Sequence, residues 1–228
     1  MLRPQLRRYQ EDGRTWPVLV WTSRARIRSI SSAPFGGGLG PCSWVLNAQV
    51  PLSYSRRDPQ ASVAALAAGL GLDRPGVGML TAAEVSAVEY AADGGVEVAA
   101  TVGLRVPTWA AAAETGNGRP GGAVQATPVG TINPVGTINI VAMVPERLSE
   151  AALVNAVGTV TEAKTQALGD AGIEATGTAT DALCICCPDQ GAAWEFGGPR
   201  SRWGAPLARA VHAAVLAGAR GWASSAPS

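Results

Sequence analysis

The sequence predicts an α+β fold, a single layered domain in which a mixed or antiparallel sheet packs against Ala-rich helices. Three observations point there. The second half of the chain reads strand, helix, strand, helix, while the first half carries an antiparallel hairpin signal at Asp93-Gly94-Gly95. Hydrophobic residues make up 47% of the chain but aromatics only 5%, with 28 glycines, so close backbone approach replaces large side chains in the core. A charged fraction of 15% lies far from the balance that keeps a chain disordered.

The elements follow in order. Residues 1–15 are polar and lack a periodic apolar pattern, which marks a flexible lead-in to a domain spanning 16–221. Val18 to Trp21 opens the ordered part, Gly36 to Gly40 is a loop, and Trp44 to Val50 reads as a strand ended by Pro51. Residues 59–70 fit a short Ala-rich helix. Glu84 to Ala91 and Val96 to Leu104 read as two strands of the hairpin. Residues 105–135 are loop-like and hold the first copy of a direct repeat, Val129-Gly130-Thr131-Ile132-Asn133. It recurs as Val135-Gly136-Thr137-Ile138-Asn139, and only this second copy runs on into an apolar strand, to Val144. Ser149 can N-cap a long helix that Gly172 ends, and Thr176 to Cys187 reads as one strand. A last helix, about Ala205 to Ala217, is apolar on nearly all faces and is expected to be buried; 222–228 reads as a disordered tail.

Composition excludes several classes of function. A formal net charge of +1 sets up no field for a polyanion, so nucleic acid is not expected as a partner. The N-terminus lacks the apolar run of a signal peptide, and Pro128, Asn133, Pro134 and Asn139 interrupt the uncharged stretch 120–145, so neither secretion nor a membrane helix is expected. The cytoplasm is the expected location, and a homo-oligomer is left open. Cys42, Cys184, Cys186 and Cys187 lack paired Cys-x-x-Cys spacing and read as reduced core thiols. With one histidine in the chain, neither a metal site nor a cofactor is expected.

The long helix is the most informative element. Leu153, Val157, Val160 and Ala167 repeat at helical spacing, and Lys164 falls within that stripe while Asn155, Glu162, Gln166 and Asp170 share the polar face. Lys164 either snorkels to water or is a desolvated cation paired to a carboxylate. Glu162 is either part of a solvated face or a base. In the next strand alternation puts Asp181 on the face of Leu183 and Ile185, with Thr178 and Thr180 pointing the other way. A carboxylate on an apolar face needs a partner, and Lys164 is the candidate. Thr137 and Asn139 share a strand face, as a strand-entry cap or as site groups. His212 reads as a core histidine. The Gly36 to Gly40 loop lacks the ending of a phosphate-binding loop, and no Gly-x-Ser-x-Gly elbow occurs.

Taken together, several segments resemble the adenosylcobinamide amidohydrolase family: Ser-Ser-Ala-Pro-Phe-Gly-Gly-Gly-Leu-Gly (31–40), Trp-Val-Leu-Asn-Ala-Gln-Val-Pro (44–51), Gly-Met-Leu-Thr-Ala-Ala-Glu-Val (78–85) and Ala-Thr-Val-Gly-Leu (100–104). The likeness continues in Gly-Thr-Ile-Asn-Ile (136–140), Ala-Ala-Leu-Val-Asn-Ala-Val (151–157), Thr-Glu-Ala-Lys-Thr-Gln-Ala-Leu (161–168), Thr-Gly-Thr-Ala-Thr-Asp-Ala (176–182) and Gly-Pro-Arg-Ser-Arg-Trp-Gly (198–204), and so runs from about Val18 to Ala219. The doubled Val-Gly-Thr-Ile-Asn and the cysteine-rich 184–187 depart from the pattern. The resemblance implies a hydrolase that cleaves the aminopropanol amide of adenosylcobinamide to give adenosylcobyric acid in corrinoid salvage. Amide hydrolysis needs an attacking oxygen, an oxyanion stabiliser and a proton for the leaving amine. The candidates are Asp181 or Glu162 as base for water or for Thr137, with Lys164 and Asn139 stabilising charge. Gly36, Gly37, Gly38, Asn47, Trp109, Arg200 and Trp203 would shape a pocket for a large flat substrate. Two alternatives are a non-catalytic corrinoid carrier and an N-terminal-nucleophile hydrolase that cuts itself before Thr137; an uncut chain is expected.

Overall fold

The computed structural model describes residues 3–112 and 136–225. The first copy of the repeat, 129–133, lies outside them. A mixed eight-stranded sheet carries three helices, an α+β arrangement. Its strands are β1 (Gln5–Glu11), β2 (Arg14–Ser31), β3 (Gly38–Gln49), β4 (Gly76–Thr81), β5 (Glu89–Asp93), β6 (Val96–Val102), β8 (Ile138–Met143) and β10 (Ala182–Pro188). A second sheet pairs the two-residue strands β7 (Pro107–Thr108) and β9 (Gly177–Thr178).

Several boundaries differ from those expected. Residues 5–11, assigned to a lead-in, are a strand that turns back at Asp12-Gly13, both with positive φ, and pairs with β2 from Glu11↔Arg14 to Gln5↔Val20. The strand expected at 84–91 is a 3₁₀ turn (Val85–Ala87) followed by β5. The strand expected at 176–187 is broken into β9 and β10.

The main sheet runs β4-β3-β2-β10-β8-β6-β5, parallel at β3/β4 and β8/β10 and antiparallel elsewhere. One edge of β2 carries β3, and the other carries β1 on its first half and β10 on its second. The register shifts between Thr22 and Ile27, where the long ribbon bends. The sheet curls far enough for Asn139 of β8 to donate to the Leu80 carbonyl of β4 at 2.9 Å. Leu19, Trp21, Val45, Met79, Val141 and Cys184 fill the concave side.

The helices cover the convex side. α1 (Pro59–Gly69) lies over Val18, Val20 and Leu46, while α2 (Glu150–Asp170) and α3 (Gly204–Ser225) lie over Val98, Ile140 and Ile185. Ser149 caps α2 by accepting from the Ala152 N–H, and Gly172 at φ +78° follows its end. Leu153, Val160, Ala163 and Ala167 are buried beneath α2; burying Leu153 and Val160 contributes about 1.5–3 kcal/mol each. α3 is longer than expected, taking in 222–225 of the supposed tail. It is also amphipathic rather than buried all round, with Leu207, Val211 and Val215 inward and Arg209, Ala213 and Arg220 exposed.

Candidate active site

Parallel pairing of β8 with β10, Asn139 opposite Ala182, sets the two strand starts side by side. The residues just before them, Gly136, Thr137 and Thr178 to Asp181, therefore meet at one rim of the curled sheet. Asp181 is the centre of this meeting. Its Oδ1 accepts from the Ile138 N–H at 2.9 Å and the Thr178 hydroxyl at 2.5 Å; its Oδ2 accepts from Lys164 Nζ at 2.5 Å and the Thr178 N–H at 3.1 Å. The side chains of Lys164 and Asp181 are only 13% and 14% exposed. A carboxylate offers about four lone-pair directions, so these four donors use all of them. The same Thr178 hydroxyl lies 2.6 Å from the Gly136 carbonyl oxygen, which also accepts from Thr180 at 3.0 Å. Thr180 in turn shares a 2.7 Å hydrogen bond with Thr137.

Gly177 explains how so polar a knot fits beneath a helix. A Cβ there would overlap both Asp181 Oδ2 and Lys164 Nζ, so any larger residue would have to push the ion pair aside. Below the rim, on the concave side, Asn139 donates to Asn47 Oδ1 at 2.8 Å as well as to Leu80, and Asn47 donates to Thr101 at 2.9 Å. Both Asn139 amide hydrogens are thus used, which fixes the orientation of its amide. Its Oδ1 is buried without a partner among the described residues. Thr137 is fully buried and Asn47 and Asn139 are 1% exposed.

This geometry sits in a chain that a known family matches over nearly its whole length. The sequence profile of the family described as adenosylcobinamide amidohydrolase matches residues 3–227. The chain belongs to that family. A curated relative from Methanosarcina mazei, named adenosylcobinamide amidohydrolase, is 27% identical over 197 residues, which cover 82% of this chain and 88% of the relative. The family is one of hydrolases that act on a carbon–nitrogen bond, and both the β1 hairpin and the helical C-terminus fall within the matched range.

The remaining candidates of this amidohydrolase family member fall into four places. Trp109 is 56% exposed beside the rim: it follows β7, which pairs with β9, and the next residue, Ala110, donates its N–H to Thr176. The loop with Gly36, Gly37 and Gly38 starts near the rim, since Ser32 accepts from the Leu183 N–H, and then turns against β4 through a Phe35–Gly78 bridge. Gly36 and Gly37, but not Gly38, line a cavity of about 630 Å³ together with Phe35, Trp44, Arg74 and Gly76. Arg200 lies elsewhere, in a cleft of about 530 Å³ with Asn155, Trp194 and Phe196, and Asn155 is nine residues from Lys164, about 13 Å along α2. Trp203 is a core residue at 5% exposure, with Arg202 stacked 5.0 Å from its ring centroid.

Glu162 is not brought to Asp181. Two residues from Lys164 is some 200° around a helix. Glu162 faces outward into a groove with Gln166, Arg209 and His212, and His212 is half-buried, bonded to Asp170 at 2.8 Å rather than enclosed in the core. The rim residues not singled out from the sequence are Gly136, Gly177, Thr178 and Thr180. Their signal was Thr-x-Thr-Asp, since hydroxyls beside a carboxylate favour turns with side-chain-to-backbone bonds over a continuous strand.

The thiols lie apart from this chemistry. Contact with Cys186, then burial, pushes Cys42 far above the ordinary thiol range; Cys186 is raised by its neighbour Cys184 and by burial, and Cys187 chiefly by burial. A thiol is nucleophilic as its thiolate, so these groups are inert near neutrality. Among the described residues no group of three or more His, Cys, Asp or Glu could hold a metal ion, and no helix is long and apolar enough to cross a membrane.

Proposed function

We propose that this chain hydrolyses the amide joining the aminopropanol arm of adenosylcobinamide to the corrin ring, releasing aminopropanol and adenosylcobyric acid, and so serves corrinoid salvage. The observation that carries this is the Lys164–Asp181 pair, 2.5 Å apart and largely withdrawn from water, ringed by threonine hydroxyls at the rim of a family member. A cation held in a low-dielectric setting is suited to the charge that develops on an amide oxygen under attack. Trp109 offers an exposed face beside it for a flat ring system. Thr137, Asn139 and Asn47, buried beneath the rim, support it, and Gly36 and Gly37 line a separate cavity against α1 and the start of β4.

The experiment is incubation of the purified protein with adenosylcobinamide, with mass detection of adenosylcobyric acid and aminopropanol. Both products should appear. Tight binding with the substrate unchanged would favour a corrinoid carrier instead. A self-processing reading has one observation of its own: the Gly136 carbonyl lies within hydrogen-bond reach of two hydroxyls, those of Thr178 and Thr180, which could polarise it for attack. The hydroxyl of Thr137, however, meets Thr180 rather than a carboxylate or amine, so the chain is expected to run as one 23.2 kDa species.

A further inference from the structure

We infer that Thr178 is the nucleophile that takes the acyl group of the substrate, so that hydrolysis passes through an ester on this threonine. The inference rests on the amidohydrolase reading above and goes beyond it by naming the attacking atom. Accessibility separates the rim hydroxyls. Thr137 is fully buried and cannot meet a substrate, whereas Thr178 is half-buried and lies on β9, paired with the strand that leads to exposed Trp109. A base in contact separates them again: Thr178 Oγ1 is 2.5 Å from Asp181 Oδ1, while the hydroxyl of Thr180 lies on the Gly136 carbonyl and on Thr137.

The same carboxylate disfavours direct attack by water. Four donors already fill the lone pairs of Asp181, so a water molecule would have to displace one of them. The Thr178 hydroxyl is one of the four and needs no displacement. It has a single proton and two acceptors, Asp181 and the Gly136 carbonyl at 2.6 Å; turned toward Asp181, that proton is placed to pass to the carboxylate as the oxygen attacks. Lys164 closes the arrangement. Its ammonium carries three N–H donors, one of them on Asp181, and it sits against Gly177, one residue from the attacking oxygen.

The step balances without a further reagent than water. The Thr178 Oγ–C bond forms as its proton passes to Asp181, with the developing oxyanion beside the Lys164 ammonium. The C–N bond then breaks and the proton moves from Asp181 to the departing nitrogen, which leaves as aminopropanol. Water attacks the ester, its proton returns through Asp181 to Thr178 Oγ1, and the corrinoid acid is released. Lys164 and Asp181 therefore act at the reacting atoms.

The test measures turnover and isotope exchange together. Wild-type protein hydrolysing adenosylcobinamide in the presence of isotope-labelled aminopropanol should return label to the residual substrate, because an acyl ester can be captured by the amine as well as by water. Thr178→Val, nearly the same in shape, should lower kcat by roughly 10³-fold, and Thr178→Ser should stay within about 30-fold of wild type. Hydrolysis by the wild type without exchange, or a Thr178→Val protein within tenfold of wild type, would overturn the assignment and leave the amidohydrolase reading standing. A wild type that releases no aminopropanol would overturn both. The exchange measurement needs no variant, so absence of exchange overturns the assignment even if Thr178→Val does not fold, and the partly active Thr178→Ser then ties a positive result to this residue.

Discussion

Replacing Lys164 with Met keeps most of the volume of the stem and removes the ammonium, which makes it the sharpest single perturbation of the rim. The gross attraction across 2.5 Å is about 6–7 kcal/mol at an effective dielectric near 20, and desolvation of both ions offsets most of it. Stranding a fully buried charge costs roughly 3–5 kcal/mol. Asp181 would keep the Ile138 N–H, the Thr178 N–H and the Thr178 hydroxyl, so the loss here should be smaller, about 1.5–3 kcal/mol. For a domain of this size that lowers Tm by roughly 3–12 °C. Turnover should fall further than folding alone explains, on the order of a hundredfold in kcat with KM within about threefold, because the cation acts on charge that appears only in the transition state. The assay is aminopropanol release at a temperature well below both melting points, beside a thermal melt of each protein. Asp181→Asn is the companion. Either orientation of its amide points an NH₂ group at two donors, so it should cost stability as well as rate. A Lys164→Met protein with lowered Tm and kcat within threefold of wild type would refute the reasoning, since the pair would then be a structural staple and nothing more.

Two further outcomes follow from the same structure. Gly177→Ala puts a methyl group into the ion pair and should lower kcat at least tenfold with a loss of about 1–3 kcal/mol, checked by the same assay and melt. The thiols give a pH dependence. Cys42, Cys186 and Cys187 are raised when folded, so they stay neutral in the native chain while the unfolded chain can ionise them. Stability is therefore complete below the ordinary thiol value of 9.0 and falls as pH rises above it, by up to about 1.4 kcal/mol per pH unit for each thiol. Urea midpoints compared at pH 8 and pH 10.5 should show this, and Cys186→Ala should reduce the slope.

Much of the convex side was legible because it follows local periodicity. Ser149, the stripe Leu153, Val160 and Ala167, and the alternation through Asp181 and Ile185 place Lys164 and Asp181 on facing surfaces, which are the ones the structure joins. The β1 hairpin was legible but passed over: Asp12-Gly13 is the residue pair that favours a two-residue hairpin turn, flanked by Tyr9 and Trp16, which pair across it. Its arginines hid it, since a strand on the sheet margin needs no apolar alternation on both sides. The concave side was not legible. Asn47 and Asn139 meet only because β2 bends where its register shifts, and no local rule specifies that curvature. Trp203 and Arg200, three residues apart in one motif, divide between core and surface for the same reason, as neighbours in sequence need not share an environment once the loop closes on α2.

The breakup of the strand at 176–187 carries the most consequence. Had it continued as one strand, Thr178 and Asp181 would have projected to opposite faces. Instead the chain turns, and the backbone N–H and the hydroxyl of Thr178 both bond the carboxylate of Asp181. The donors to that carboxylate come from three elements: Lys164 from α2, Thr178 from β9, and Ile138 from the first residue of β8. Asp181 is therefore a joint of the fold as well as a group of the site, and no substitution there can lower activity without also loosening the rim. Thr178 differs, because its backbone N–H holds Asp181 whatever its side chain is. Removing the hydroxyl deletes one of four bonds to the carboxylate and leaves the joint closed, which is why Thr178→Val, rather than any change at Asp181, separates chemistry from architecture in this protein.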